Sequence, residues 1–339
     1  MLEWSKQLEE NGSTKHTKCQ VSIDRGCRSN KHCAAIGKTE ANARGAMSES
    51  RDWTNRLARF GELLMALLML YSGVMHFKFA RFVAGIVPEW IPFRLFWAYF
   101  TGVALFAAGI SIVLRRHVRL AAVLLALMLS IFVGLIHGPS MIHSVIHSPG
   151  DYRVLWSFNG TGGLNNALKD VSLTVGALIL AIHQPSKSGN RKRTLGRTLQ
   201  SIFGAIMLLF GIEHFLYAQY TPGIPSWSFV TFWIPFRLFW GYVAGAALVI
   251  GGAMLLAKKR PAKSAIGLGL MLLVVTILTY ALRMAAGQGS YSELTNAIKD
   301  IAVAGGALIL AGLTKTEDPG LPASQPIANE VHYAVSDDL

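Results

Sequence analysis

The sequence predicts an all-α membrane protein of eight transmembrane helices, arranged as two tandem four-helix bundles. Three observations carry that expectation. Hydrophobic residues make up 52% of the 339 and charged residues only 15%, with a mean hydropathy of +0.40, well below the roughly 25% charged residues of soluble domains. The apolar residues fall in eight continuous runs, each near the ~20 residues that a helix needs to cross a ~30 Å hydrocarbon core. The heptapeptide Ile91-Pro92-Phe93-Arg94-Leu95-Phe96-Trp97 returns letter for letter at Ile234-Pro235-Phe236-Arg237-Leu238-Phe239-Trp240, which reads as an internal duplication.

Residues 1–55 are polar, mixed in charge and without apolar periodicity, so they read as a disordered segment that lacks the apolar core of a signal peptide. Met47, followed by Ser48-Glu49-Ser50, reads as an alternative start. All three cysteines, Cys19, Cys27 and Cys33, lie in this segment with seven and then five residues between them. No CxxC pair and no fourth ligand accompanies them. They read as free thiols rather than a zinc site, and a membrane dithiol oxidase is disfavoured.

The runs lie at roughly 58–77, 95–114, 119–137 and 167–183, then at 199–217, 238–257, 264–285 and 297–313. They are continuous rather than alternating and exceed the ~10 residues of a barrel strand, which argues for helices. The first four make a unit at 56–184 and the last four a unit at 199–313, joined by a basic linker at 185–198. The tail at 314–339 is acidic, contains proline and reads as disordered.

The net charge of +13 is carried in short clusters between runs rather than on one domain, which points to topology rather than nucleic acid. Arg115, Arg116 and Arg119 follow the second run; Lys187, Arg191, Lys192, Arg193 and Arg197 join the halves; Lys258, Lys259, Arg260 and Lys263 follow the sixth. These loops are expected in the cytoplasm, with both termini, of a protein integral to the inner membrane.

The internal match extends past the heptapeptide. Gly73-Val74-Met75-His76-Phe77 parallels Gly211-Ile212-Glu213-His214-Phe215, and Asn166-Ala167-Leu168-Lys169-Asp170 parallels Asn296-Ala297-Ile298-Lys299-Asp300. Gly176-Ala177-Leu178-Ile179-Leu180-Ala181 parallels Gly306-Ala307-Leu308-Ile309-Leu310-Ala311. Four helices per copy make both copies start on the same side, a parallel repeat about the membrane normal. Gly241 and Gly245 have the GxxxG spacing that lets helices approach closely, and the units are expected to pack through such residues.

These motifs resemble a known family. A first helix ending in Gly-x-x-His-Phe, a Pro-x-Arg start to the second, and a fourth opening with Asn-Ala-x-Lys-Asp before Gly-Ala-Leu-Ile-Leu-Ala are similar to the DoxX-like membrane proteins, over about 58–183 and again 199–313. The resemblance implies a four-helix membrane bundle. It also implies an association with redox or detoxification enzymes, some members resembling the membrane subunit of thiosulfate:quinone oxidoreductase, with a quinone as cofactor and a soluble or membrane redox enzyme as partner. The tandem fusion departs from that pattern, as does Met75 standing where the second copy has Glu213.

Helix direction gathers the unusual polar residues at one depth. His76 lies about 24 Å along its helix from Phe60, in the outer leaflet. His137, His214 and Arg283 end outward-running helices, while Arg94, Arg237, Lys169, Asp170, Lys299 and Asp300 open helices that start on that side. One expectation is an outer pocket in each unit: His76, Arg94, His137, Lys169 and Asp170 in the first, with Glu213, His214, Arg237, Arg283, Lys299 and Asp300 in the second. His76, His214 and Glu213 are the candidate catalytic groups, since histidine exchanges protons near neutral pH and buried ionisable groups in membranes usually face a site. Arg and Lys would hold negative charge, and Asp would orient a base.

The competing reading is structural. Arg94, Lys169 and Lys299 then snorkel to the interface and Asp300 caps its helix. Glu213 is expected to pair with Arg237 or Arg283, or to carry a proton, and Glu62 to pair with Arg59 three residues before it. His143 and His147 have a ligand-like spacing but no accompanying carboxylate, so no metal is expected. A haem held by His76 and His214 would need both on facing helices at matched height. Phe93, Phe96, Trp97 and Tyr99, with Phe236, Phe239, Trp240 and Tyr242, read as an interfacial belt or as a flat quinone slot, in which Trp97 and Trp240 would bind the ring.

No Walker loop, dinucleotide fingerprint or Ser-His-Asp arrangement is present in a soluble context. The leading reading is a membrane subunit or accessory of a quinone-linked redox system. The rivals are a small-solute or anion transporter, which the apolar inner halves of the helices disfavour, and a structural partner without catalysis.

Overall fold

The computed structural model describes residues 30–139, 142, 146, 163–185, 189–218, 223–225, 234–287 and 290–315, with the side chains of the first helix described at Glu49 and from Asp52. Cys19 and Cys27, with His143, His147 and residues 316–339, lie outside that set. The described residues form α1 (Asn30–Lys78), α2 (Ala80–Ile86), α3 (Arg94–Val113), α4 (Val118–Phe132) continuing as a π turn (Val133–His137), α5 (Leu164–His183), α6 (Asn190–Leu216), α7 (Arg237–Leu256), α8 (Pro261–Ala285) and α9 (Tyr291–Lys315). Eight stretches are long and apolar enough to cross a membrane, from Asp52–Lys78 to Glu293–Thr314. They coincide with the eight runs of the sequence.

The chain divides into two compact units, Met1–Trp53 and Thr54–Leu339. In the first, α1 already begins at Asn30, where a disordered segment to residue 55 was expected. The physical reason is propensity without amphipathicity: Ala34, Ala35, Lys38, Glu40, Ala41, Ala43, Arg44 and Ala46 are good helix formers that leave no apolar stripe to read. The expected linker at 185–198 is likewise partly helical, because α6 starts at Asn190 and carries Arg191, Lys192, Arg193 and Arg197 on its first turns.

Within Thr54–Leu339 the helices differ sharply in burial. In α9, 89% of its most apolar window is buried, and in α5 61%, against 33% in α3, α4 and α8. The two helices that carry Asn-Ala-x-Lys-Asp are thus the most buried, with α6 close behind at 56%, while α3, α4 and α8 turn much of their surface outward. Without a hydrophobic force between helices in lipid, such burial depends on close packing and polar contacts. Gly176 and Gly306 supply the first, since a Cβ on either would lie 3.4 Å from the Cα of the other.

The turn joining α3 to α4 is repeated between α7 and α8. Arg115 and Lys258 both donate their N–H groups to carbonyls three residues back, Ile112 and Leu255, and both have positive φ, 57° and 55°. His117 and Arg260 then take φ of 55° and 47° immediately before the next helix. Phe93 and Phe236, both at φ 56°, precede Arg94 and Arg237 in the same way. Four stretches of non-glycine left-handed backbone thus fall in two matching pairs.

The glycine spacing works differently from expectation. Gly245 packs on α6, where a Cβ would come within 2.6 Å of the His214 Cβ, just as one on Gly102 would come within 2.9 Å of the His76 Cβ. The GxxxG helix therefore approaches its own neighbour in sequence, and the close crossing between α5 and α9 is made by Gly176 and Gly306.

Candidate functional site

α5 and α9 each carry adjacent Lys and Asp side chains, which point about 100° apart on an α-helix. Both members of each pair find partners on neighbouring helices. Lys169 Nζ lies 2.9 Å from Asp300 Oδ1, and Lys299 Nζ lies 3.2 Å from Asp170 Oδ1. The lysine of each motif is thus neutralised by the aspartate of the other. Lys169 is 1% exposed and Asp300 0%, so the snorkelling and capping expected of them are replaced by a buried ion pair.

His137 joins this cluster from α4. The wide π turn adds a residue to the helix end and leaves His137 buried, with its Nε2 N–H donating to the second oxygen of Asp170 at 2.9 Å. π turns of this kind are often found at functional sites. Asp170 therefore accepts from an imidazole on one oxygen and an ammonium on the other, while His137 Nδ1 is buried with no hydrogen-bond partner among the described residues.

Glu213, fully buried on α6, completes the constellation. Its Oε1 accepts from Asn165 Nδ2 at 3.0 Å, and Gly223 stands so close to its other oxygen that a Cβ there would force the carboxyl to shift. The Lys169 charge also acts on its carboxyl. The expected pairing with Arg283 does not form, because Arg283 reaches Glu293 at 2.6 Å. Glu293 is held in place by reciprocal bonds with Ser290, a capping box at the start of α9.

Asn165 was not among the candidates from sequence. An asparagine near a helix start reads as a cap, and its counterpart in the second copy is Thr295, which meets Tyr71 on α1 at 3.0 Å. Asn165 and Thr295 precede the two Asn-Ala-x-Lys-Asp motifs at the same place, one touching α6 and the other α1, but they do not share a chemistry.

The remaining candidates are placed differently. His76 and His214 each donate Nδ1–H to the carbonyl one turn back, Ser72 at 2.7 Å and Phe210 at 2.8 Å. His214 is fully buried and His76 half-buried. Arg94 is exposed at the start of α3 and Arg237 half-buried at the start of α7. The structure brings His137, at the end of α4, and Asn165, Lys169 and Asp170 of α5 near Glu213 of α6 and Lys299 and Asp300 of α9, residues that the sequence reading divides between two expected pockets.

Trp97 and Trp240 are 42% and 49% exposed, and each stands edge-on to the preceding phenylalanine at 5.3 Å. Trp97 also donates its indole N–H to the Pro92 carbonyl. Rings that face outward and pack on each other have the character of an interfacial belt. At the opposite ends of the helices, Arg59 pairs with Glu62 at 2.7 Å as expected, and Glu62 is buried.

A family model described as a domain of unknown function (DUF8561) matches residues 65–154, about a quarter of the chain, from within α1 to beyond the π turn. No curated protein matches the chain, and no solved structure matches it.

Proposed function

We propose that the chain consists of two DoxX-like units in tandem and serves as a membrane-embedded accessory subunit of a quinone-linked redox system, with both termini cytoplasmic and the buried cluster in the outer leaflet. The tandem reading is supported by the repeated motifs, the paired left-handed residues and the crossed Lys–Asp contacts. Membrane subunits of this kind need groups that exchange protons inside the bilayer, because reducing a quinone to a quinol takes two electrons and two protons. A partner enzyme would supply the electrons.

The observation that carries the proposal is the bond that joins buried His137 to Asp170, with Glu213 buried on α6 against Asn165 of the same helix as Asp170. Asp170 holds the imidazole by Nε2, as a carboxylate orients a base. Nδ1 is left as a buried polar atom able to meet a quinone or quinol oxygen. Glu213 adds a second carboxyl in the same buried region. When bound, a quinone would supply the redox chemistry; the chain's own residues would hold it and exchange its protons.

Transport by rocking one half against the other fits poorly. Both crossed pairs would have to break, which leaves the buried Lys169 and Asp300 charges without each other. A structural partner without catalysis is the second reading, favoured by the fact that Lys169, Asp170, Lys299 and Asp300 all have an opposite charge.

The test is quinone content and quinone-analogue binding of the detergent-purified protein, comparing wild type with His137→Gln and Glu213→Gln. Bound quinone in the wild type that falls at least tenfold in His137→Gln, with folding intact, supports the redox reading. Absence of quinone and of analogue binding in a folded wild type favours the structural one.

A further inference from the structure

At the end of the helices away from the Lys–Asp cluster lies a cavity of about 530 Å³, lined by Arg59, Glu62, Arg115, His183, Gln184 and Lys192 among others. Three of these side chains are cations and one is a carboxylate. The carboxylate is already engaged: Glu62 takes Arg59 on one oxygen and the Gln184 amide on the other. Arg59 is held further by the Ile112 and Val113 carbonyls that end α3. Lys192 gives one N–H to the Gln184 carbonyl at 3.0 Å and keeps two, and the Arg115 guanidinium is exposed beside His183 with no hydrogen bond to the described residues. Arg119 adds a further positive charge near Lys192.

Two cations with donors to spare therefore face a cavity whose single carboxylate is neutralised. The second copy does not repeat this arrangement. At the matching positions Gln200 stands for Glu62 and Leu313 for His183, and Gln200 donates to the Leu255 carbonyl that corresponds to that of Ile112. Inheritance from a duplicated unit does not account for a cluster found in only one copy.

We propose that this cavity is a binding site for a phosphate-bearing anion, held by Arg115 and Lys192. Guanidinium and ammonium groups form charge-assisted bonds with phosphate oxygens, and basic pockets between membrane helices suit anionic lipid headgroups. The cavity lies beside the ends of five of the helices long and apolar enough to cross a membrane, where either a headgroup or a free phosphate could reach it.

The experiment uses the full-length, detergent-purified protein, titrated separately with dioctanoyl phosphatidylglycerol, dioctanoyl phosphatidylcholine and inorganic phosphate, with binding read by calorimetry. Saturable binding of phosphatidylglycerol, at least tenfold tighter than of phosphatidylcholine and at least tenfold weaker in Arg115→Gln/Lys192→Gln, assigns a lipid headgroup. The same loss seen with inorganic phosphate assigns the free anion. Lys258→Gln/Lys259→Gln removes two charges from the matching turn outside the cavity and is expected to bind as wild type. Arg115→Gln alone, at an exposed position, provides a folded variant if the double one fails, with weaker binding expected. The proposal is overturned if neither anion binds saturably, if the cavity variants bind as wild type, or if the Lys258/Lys259 variant loses as much as they do.

Discussion

Lys169 on α5 and Asp300 on α9 meet at 2.9 Å with almost no solvent contact, and the reversed pair, Lys299 with Asp170, meets at 3.2 Å. Seven residues further along each helix, Gly176 and Gly306 touch. Three contacts in register define a parallel crossing in which each motif recognises its own copy.

The two crossed pairs differ in exposure, and so in expected cost. Lys169 is buried, whereas the Lys299 side chain is 24% exposed. Lys169→Met removes the opposite charge from a buried carboxylate and is expected to destabilise the protein by roughly 3–5 kcal/mol. Lys299→Met leaves Asp170 its bond from His137 and is expected to cost less than half of that. Thermal unfolding in detergent measures both, and equal effects would count against the burial argument.

The crossed contacts also show what the sequence makes legible and what it does not. The eight spans can be read from the chain because uninterrupted apolar runs of helix length have few other uses. The candidate status of Lys169, Asp170, Lys299 and Asp300 can be read too, since ionisable groups in such runs are rare. Their choice of partner cannot, because it depends on where α5 and α9 cross, and the contact between Gly176 and Gly306 reveals that only in three dimensions. The π turn that brings His137 inward has no plain sequence signal, and the helix from Asn30 has no apolar pattern at all.

Asn165 is expected to matter to Glu213 as a hydrogen-bond donor. Asn165→Ala removes the donor and leaves a buried carboxyl oxygen without it, at a cost of roughly 1–3 kcal/mol. Asn165→Asp would place a second carboxyl against Glu213 and is expected to be worse than Ala. Unfolding midpoints in detergent at neutral pH would show this order, and the reverse order would remove the contact from the account.

Gly245 and Gly306 offer a contrast in packing. An alanine methyl at 245 would collide with the His214 Cβ, whereas one at 306 would lie at ordinary contact distances. Gly245→Ala is therefore expected to cost about 1–3 kcal/mol through overpacking. Gly306→Ala is expected to be neutral or slightly stabilising through helix propensity. Comparing the two unfolding midpoints tests whether α6 and α7 are as close as described.

The capping box at α9 gives a smaller effect. Ser290→Ala loses the bond to the Glu293 N–H, and about 1 kcal/mol of stability should go with it. Because Glu293 also holds Arg283, Glu293→Ala is expected to cost more than Ser290→Ala, again read by thermal unfolding.

Each Lys-Asp motif is satisfied across the α5–α9 crossing and not by its own neighbour. The most direct measurement is a pair of double-mutant cycles on unfolding free energy, one between Lys169 and Asp300 and the other between Lys169 and Asp170. A coupling of about 1–3 kcal/mol is expected in the first cycle and a much smaller one in the second. A coupling confined to Lys169 and Asp170, with Lys169 and Asp300 additive, would contradict that pairing.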